Sequence, residues 1–175
     1  ADMLFSPRSI KQDIDREADA LLLEQYRLMQ LCVAHADKDE VDKTWAGLVR
    51  RTTALKGMRS LLMMESGGWP KVERRMAVLN TLSLTLITQA CETFLIQNSR
   101  PEYVPPQFLL LFEKPVESTA DIHKRMKIMR RIITVSGSKN TPATIRSWVA
   151  AASRYLLLLK GIHTNSSISR IEEER

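Results

Sequence analysis

A chain of 175 residues with 44% apolar and 26% charged side chains is long enough to bury one core and too apolar to stay disordered. Its net charge of +6 excludes a strongly acidic surface and asks for a partner of opposite sign, which nucleic acid, an anionic membrane surface or an acidic ligand would each satisfy. With only 6 Gly and 7 Pro, gathered in a few places, the elements between them should be long.

The chain opens ADMLF, apolar, then turns at Ser6-Pro7-Arg8 into a charged, helix-like run. Ile14, Ala18, Leu21, Gln25, Leu28, Cys32 and His35 alternate spacings of four and three, which predicts a helix with one buried stripe. The rhythm returns in Val41, Trp45, Leu48, Thr52, Leu55, Arg59 and Leu62. The polar turn between the two is short, so these helices should lie antiparallel. Gly67 and Gly68 end the second helix, and Pro70 suits the first turn of a third that runs to about Asn98. This third helix is apolar on more than one side and is placed centrally. Its uncharged run from Met76 to Cys91 is 16 residues, short of the roughly 20 needed to cross a bilayer. Burial on two sides of a bundle explains it better.

A Pro-rich loop occupies residues 100–117, with one short helix near Gln107 to Phe112. A fourth long helix spans about Ser118 to Val135, and SGSKN is a turn. Thr141 caps and Pro142 opens a fifth, which runs to about Lys160. Residues 162–175 read as a polar, frayed tail. No stretch of period two appears. The expected fold is all-α: one soluble domain over residues 1–175, a bundle of about five long antiparallel helices plus a short helix in the Pro-rich loop.

Chemistry finds little footing. His35, His123 and His163 lie in no metal-ligand spacing, so no metal, cofactor or catalytic residue is assigned and an enzyme is not expected. His35 closes an apolar stripe, where it can help cap the helix end; His123 reads as part of a solvated helix start. Cys32 and Cys91 read as two buried free thiols. Glu92, inside the apolar third helix, is a candidate buried carboxylate whose commoner role is pairing with an Arg. Trp45 and Trp148 fall on apolar stripes and are expected in the core, and Trp69 caps a turn, where it can cover a helix end.

The cations carry more information. Residues 44–76 hold Arg50, Arg51, Lys56, Arg59, Lys71, Arg74 and Arg75 against Glu65 and Glu73. Residues 121–160 hold nine Lys/Arg against Asp121 alone. Most are expected to be an ordinary solvated face. A nucleic-acid surface is disfavoured: aromatics are 6% of the chain and none alternates with the cations as a stacking platform requires. A free-standing basic helical protein that binds nucleic acid or a protein partner remains the alternative reading.

ADMLFSPRSIKQDID, QYRLMQLC, VDKTWAGLVRRTTALKGMRS, NTLSLTLITQACETFLIQNSRPE and SWVAAASRYLLL together resemble the cytoplasmic region of aromatic-acid efflux pumps of the fusaric-acid-resistance-like family in Gram-negative bacteria. VPPQFLLLFEKP and RMKIMRRIITVSGSKN depart from that likeness. The resemblance implies two hydrophobic halves flanking this region at the cytoplasmic face of the inner membrane, with residues 1–8 the end of a membrane-proximal segment. It implies export of hydroxylated aromatic carboxylates such as p-hydroxybenzoate by the intact protein. It also implies partnership with the rest of the pump's membrane domain and a periplasmic membrane-fusion subunit, and a homo-oligomer. Within the domain two roles compete: an assembly and gating element, which is preferred, or a gatherer of aromatic carboxylate. Arg pairs bidentately with carboxylate, so Arg50, Arg51, Arg130 and Arg131 are the anion-facing candidates.

Overall fold

The computed structural model describes the backbone of residues 7–66, 70–100, 104–136 and 140–174, with side chains over 12–61, 73–100, 104–136 and 140–160. Among these residues are six helices: α1 Pro7–Val33, α2 Lys38–Ser66, α3 Pro70–Ser99, α4 Pro106–Glu113, α5 Thr119–Ser136 and α6 Ala143–Glu174. That is the expected all-α bundle, five long helices and one short. Ala1 to Phe5, the Gly67-Gly68-Trp69 turn and most of SGSKN lie outside the described residues, as do the side chains of Leu62 and His163.

Short turns make helices adjacent in sequence run antiparallel, and bonds between elements set the rest. Gln25 of α1 donates to the Ser83 hydroxyl of α3, and Ser83 and Thr52 of α2 share a bond of 3.0 Å. Tyr155 of α6 donates to the Ala18 carbonyl at 3.3 Å, whereas Trp148 meets Tyr26 with ring centroids 5.8 Å apart. That pairing of rising with falling numbers sets α6 against α1. The Gln25–Ser83–Thr52 chain is buried. It fixes one register of three helices whose apolar stripes alone would tolerate a slip of one turn.

The core expected from the first stripe is realised from Ile14 to Cys32, every member buried. His35 is not part of it. It is exposed and has φ 55, a left-handed conformation. Ala36 N–H reaches back to the Leu31 carbonyl at 3.0 Å, and both side chains pack against the core. This is the Schellman termination, usually built on glycine. His35 therefore ends α1 through its backbone and not by side-chain capping.

Four expectations change. Trp45 is 43% exposed, because it lies at the margin of the α2 stripe, where an indole is too large to hide. Glu92 is exposed, on the uncovered face of α3. Cys91 is half-buried, and only Cys32 is fully inside. Residues 161–174 continue α6 as helix: one glycine at 161 costs about 1 kcal/mol and no proline follows to stop it. The centre is also shared. α3 packs on α1, α2 and α6, but α1 touches every other long helix and α4 as well. In consequence α3 keeps one open face, with Leu84, Leu95 and Ile96 exposed.

The Pro-rich loop is held by its neighbours. A short helix leaves its last carbonyls without intrahelical partners. Those of α4 and the residues after it are filled from two sides. Tyr26 donates to the Leu111 carbonyl at 2.9 Å, and Gln30 to those of Phe112 at 2.7 Å and Lys114 at 2.8 Å. Arg125 of α5 donates to the carbonyls of Leu111 at 3.0 Å, Lys114 at 2.6 Å and Pro115 at 2.6 Å, and lies 5.5 Å from the Tyr26 ring centroid. Phe112 then completes a three-ring cluster with Tyr26 and Trp148.

Candidate functional site

The start of α5 is a reciprocal cap. The Asp121 N–H donates to the Ser118 hydroxyl at 3.3 Å, and the Asp121 carboxylate accepts from Glu117 N–H at 3.2 Å. This uses the one acid of a helix otherwise rich in cations. Arg125 is withdrawn into the carbonyl cluster described above. Lys124, Lys127, Arg130 and Arg131 stay exposed.

α5 then turns back into α6, and the two helices enclose an open groove of about 420 Å³. Arg130, Ile133 and Thr134 face it from α5. Arg146, Val149, Ala150, Ser153, Arg154 and Leu157 face it from α6, at the three- and four-residue steps of one helix face. Its two hydroxyls are spent inside their own helices: Thr134 donates to the Arg130 carbonyl at 2.9 Å and Ser153 to that of Val149 at 2.8 Å. What remains is an apolar floor ringed by three guanidinium groups.

Arg146 is half-buried and held at the helix start, its Nε donating to the Thr141 carbonyl at 3.2 Å. The Thr141 hydroxyl makes no capping bond among the described residues, so its contribution is that carbonyl and not the expected side-chain cap. Arg130 and Arg154 are exposed, and none of the three arginines has an acidic partner among the described residues. Three like charges around an apolar surface, with no acidic partner among the described residues, have the chemistry to suit an anion that is itself partly apolar.

The four anion-facing candidates do not converge. Arg130 lines this groove, and Arg131, one residue on, is exposed outside its lining. Arg50 and Arg51 border a different hollow of about 370 Å³ between α1 and α2, which Glu24 and Glu40 share. Arg51 also sits 3.9 Å from the Glu17 carboxylate. Acids therefore stand beside these two arginines, although the hollow also holds Arg27 and Lys43. The arginines that join Arg130 are Arg146 and Arg154, which sequence reasoning counted among the cations without singling them out. The signal was there: 146, 150 and 154 lie on one helix face, and α6 presents that face to α5.

The thiols are chemically quiet. Burial first, then the neighbouring Cys91, pushes the Cys32 thiol up to about 12; burial, with Asp42 and Glu92 adding to it, pushes Cys91 up to about 11. Both stay protonated at neutral pH. Among the described residues no group of three potential metal ligands occurs, and no helix is long and apolar enough to cross a membrane.

The whole chain, residues 1–175, matches the fusaric acid resistance protein family. It is 75% identical over 174 residues to the p-hydroxybenzoic acid efflux pump subunit AaeB of Erwinia billingiae, covering 99% of this chain and 27% of that protein. The subunits of the same name from Enterobacter cloacae and Salmonella arizonae are 61% and 60% identical over the same coverage. The chain thus spans about a quarter of the length of these relatives. No solved structure matches it.

Proposed function

The chain belongs to the fusaric acid resistance protein family, and from that premise we propose that it is the cytoplasmic region of an inner-membrane pump that exports hydroxylated aromatic carboxylates such as p-hydroxybenzoate. The observation that carries this reading is 75% identity to a pump subunit of which the chain is 27%. The membrane halves belong to the remaining length of such a protein. A periplasmic membrane-fusion subunit would continue the path outward. Export by this class of protein needs no chemical change in its cargo, so the domain contributes by binding and by shape.

Its primary role is assembly and gating. The open face of α3 supports this: from Met76 to Cys91 the helix is uncharged, and Leu84, Leu95 and Ile96 are exposed. Such a face suits a second copy of the same domain in a homo-oligomer. Leu84→Asp in the whole pump tests it. The residue is 48% exposed, so folding should lose only about 1–2 kcal/mol, from partial burial and helix propensity. The expected result is a normally inserted protein that loses its oligomer, seen by cross-linking in membranes, and with it p-hydroxybenzoate export. Intact oligomer and undiminished export would refute the assembly role.

A further inference from the structure

We propose that the α5–α6 groove is a binding site for an aromatic carboxylate, with the ring on the floor made by Ile133, Val149 and Leu157 and the carboxylate against Arg130, Arg146 and Arg154. The identity of the ligand class rests on the pump reading above; the anion-plus-apolar chemistry rests on the groove alone.

The observations bear on this in order. A volume of about 420 Å³ falls within the range of small-molecule sites, roughly 300–1,000 Å³. Leu157 is 63% exposed, so part of the apolar floor waits uncovered. The floor is otherwise firm, Val149 being buried in the core. Arg146 is pre-oriented: its Nε is tied to the Thr141 carbonyl, and its terminal nitrogens have no bond among the described residues. A planar guanidinium held in this way offers two parallel donors to one carboxylate. Arg130 and Arg154, from opposite walls, reach the same space. No acid of α5 or of residues 143–160 competes, since Asp121 is engaged in the cap. The hollow between α1 and α2 is of similar size, about 370 Å³, but Glu24 and Glu40 stand in its lining and compete there for Arg27, Lys43, Arg50 and Arg51. A neutral aromatic would satisfy the floor and leave the arginines unanswered. An inorganic anion would satisfy the arginines and leave the floor bare.

The test reads the groove locally in the whole pump. Ser153→Cys places a thiol in the lining with little change of shape. Its labelling by a maleimide is followed in inverted membrane vesicles, relative to the pump without that thiol. p-Hydroxybenzoate should slow labelling saturably, and p-hydroxybenzamide, its uncharged counterpart, should not. Arg146→Gln should raise the concentration for half-protection at least tenfold. Lys124→Gln, on the exposed side of α5, should leave it unchanged. Equal protection by the amide, or no protection at concentrations that saturate export, would overturn the site. A thiol already shielded in ligand-free vesicles would mean that a protein segment fills the groove, and would overturn it too. The two readings fail separately. Export without protection removes the site and leaves the pump; protection by the carboxylate in a protein that exports nothing keeps the site and removes the pump.

Discussion

Replacing Arg125 by Ala removes three backbone hydrogen bonds and a cation over an aromatic ring, yet the expected cost is only about 2 kcal/mol. Hydrogen bonds from a charged group contribute about 1.5–3 kcal/mol each, and a cation on a ring about 1 kcal/mol. Much of that sum is recoverable. The Leu111 carbonyl keeps Tyr26 at 2.9 Å, and the Lys114 carbonyl keeps Gln30 at 2.8 Å. Pro115 is exposed, so water takes the third place. Gln30→Ala alone should cost about 1–2 kcal/mol, because Arg125 still covers Lys114 but the Phe112 carbonyl loses its donor. In the double variant water takes the exposed Lys114 carbonyl as well, and the end of α4 keeps only the Tyr26 bond, so neither neighbour is left to hold it for the other. The double variant should cost more than the two singles together, by about 0.5–1 kcal/mol. Urea unfolding followed by circular dichroism reads all three, with Lys124→Ala as a control within about 0.5 kcal/mol. Arg125→Ala should also lower Tm by roughly 4–8 °C, at about 2–4 °C per kcal/mol for a chain of this size. Strict additivity, or a loss at Arg125 no larger than at Lys124, would refute the idea that α1 and α5 jointly hold the end of α4.

His35→Gly should stabilise the chain by about 1 kcal/mol, since only glycine adopts the left-handed backbone at that position without a steric penalty; destabilisation in the same urea assay would show that the imidazole matters. Cys32 and Cys91 should both resist iodoacetamide at neutral pH in the folded chain and react fully in urea, Cys91 being the faster in the folded state because it is half-buried. Their folded-state pKa values lie above the usual thiol value of 9.0, near 12 and 11. The protonated thiols are therefore favoured by folding, and that contribution is complete below pH 9 and is lost as pH rises towards 12. Tyr155, raised by its burial, acts in the same direction. Cys32→Ala should make the alkaline loss of stability shallower; an unchanged alkaline limb would contradict the assignment.

Periodicity carried α1 almost entirely: Ile14 to Cys32 needed only the spacing of one stripe facing one core. It faltered where a position depends on what stands opposite. Trp45 obeys the rhythm of α2 and is still exposed, because the margin of a stripe is covered only if a neighbouring helix reaches it. The α4 cluster was illegible for a related reason. Arg125 is one cation among many in its segment, and only the fold brings it to carbonyls 10 to 14 residues away. The candidate site divides in the same way. Arg130 was selected from its own segment, but its partners are set by the packing of α6 on α5. Arg131, its neighbour in sequence, points clear of the groove lining, as 100° per residue requires. Local charge density located the right helices and could not choose the faces.

The placement of this domain in a pump is tested most directly by sidedness. A single Cys at Leu110, 62% exposed on α4, would be probed in the whole protein with a membrane-impermeant maleimide. Labelling is expected in inverted inner-membrane vesicles and not in right-side-out ones, with p-hydroxybenzoate export intact. Labelling from the periplasmic side alone would contradict a cytoplasmic domain and the function built on it.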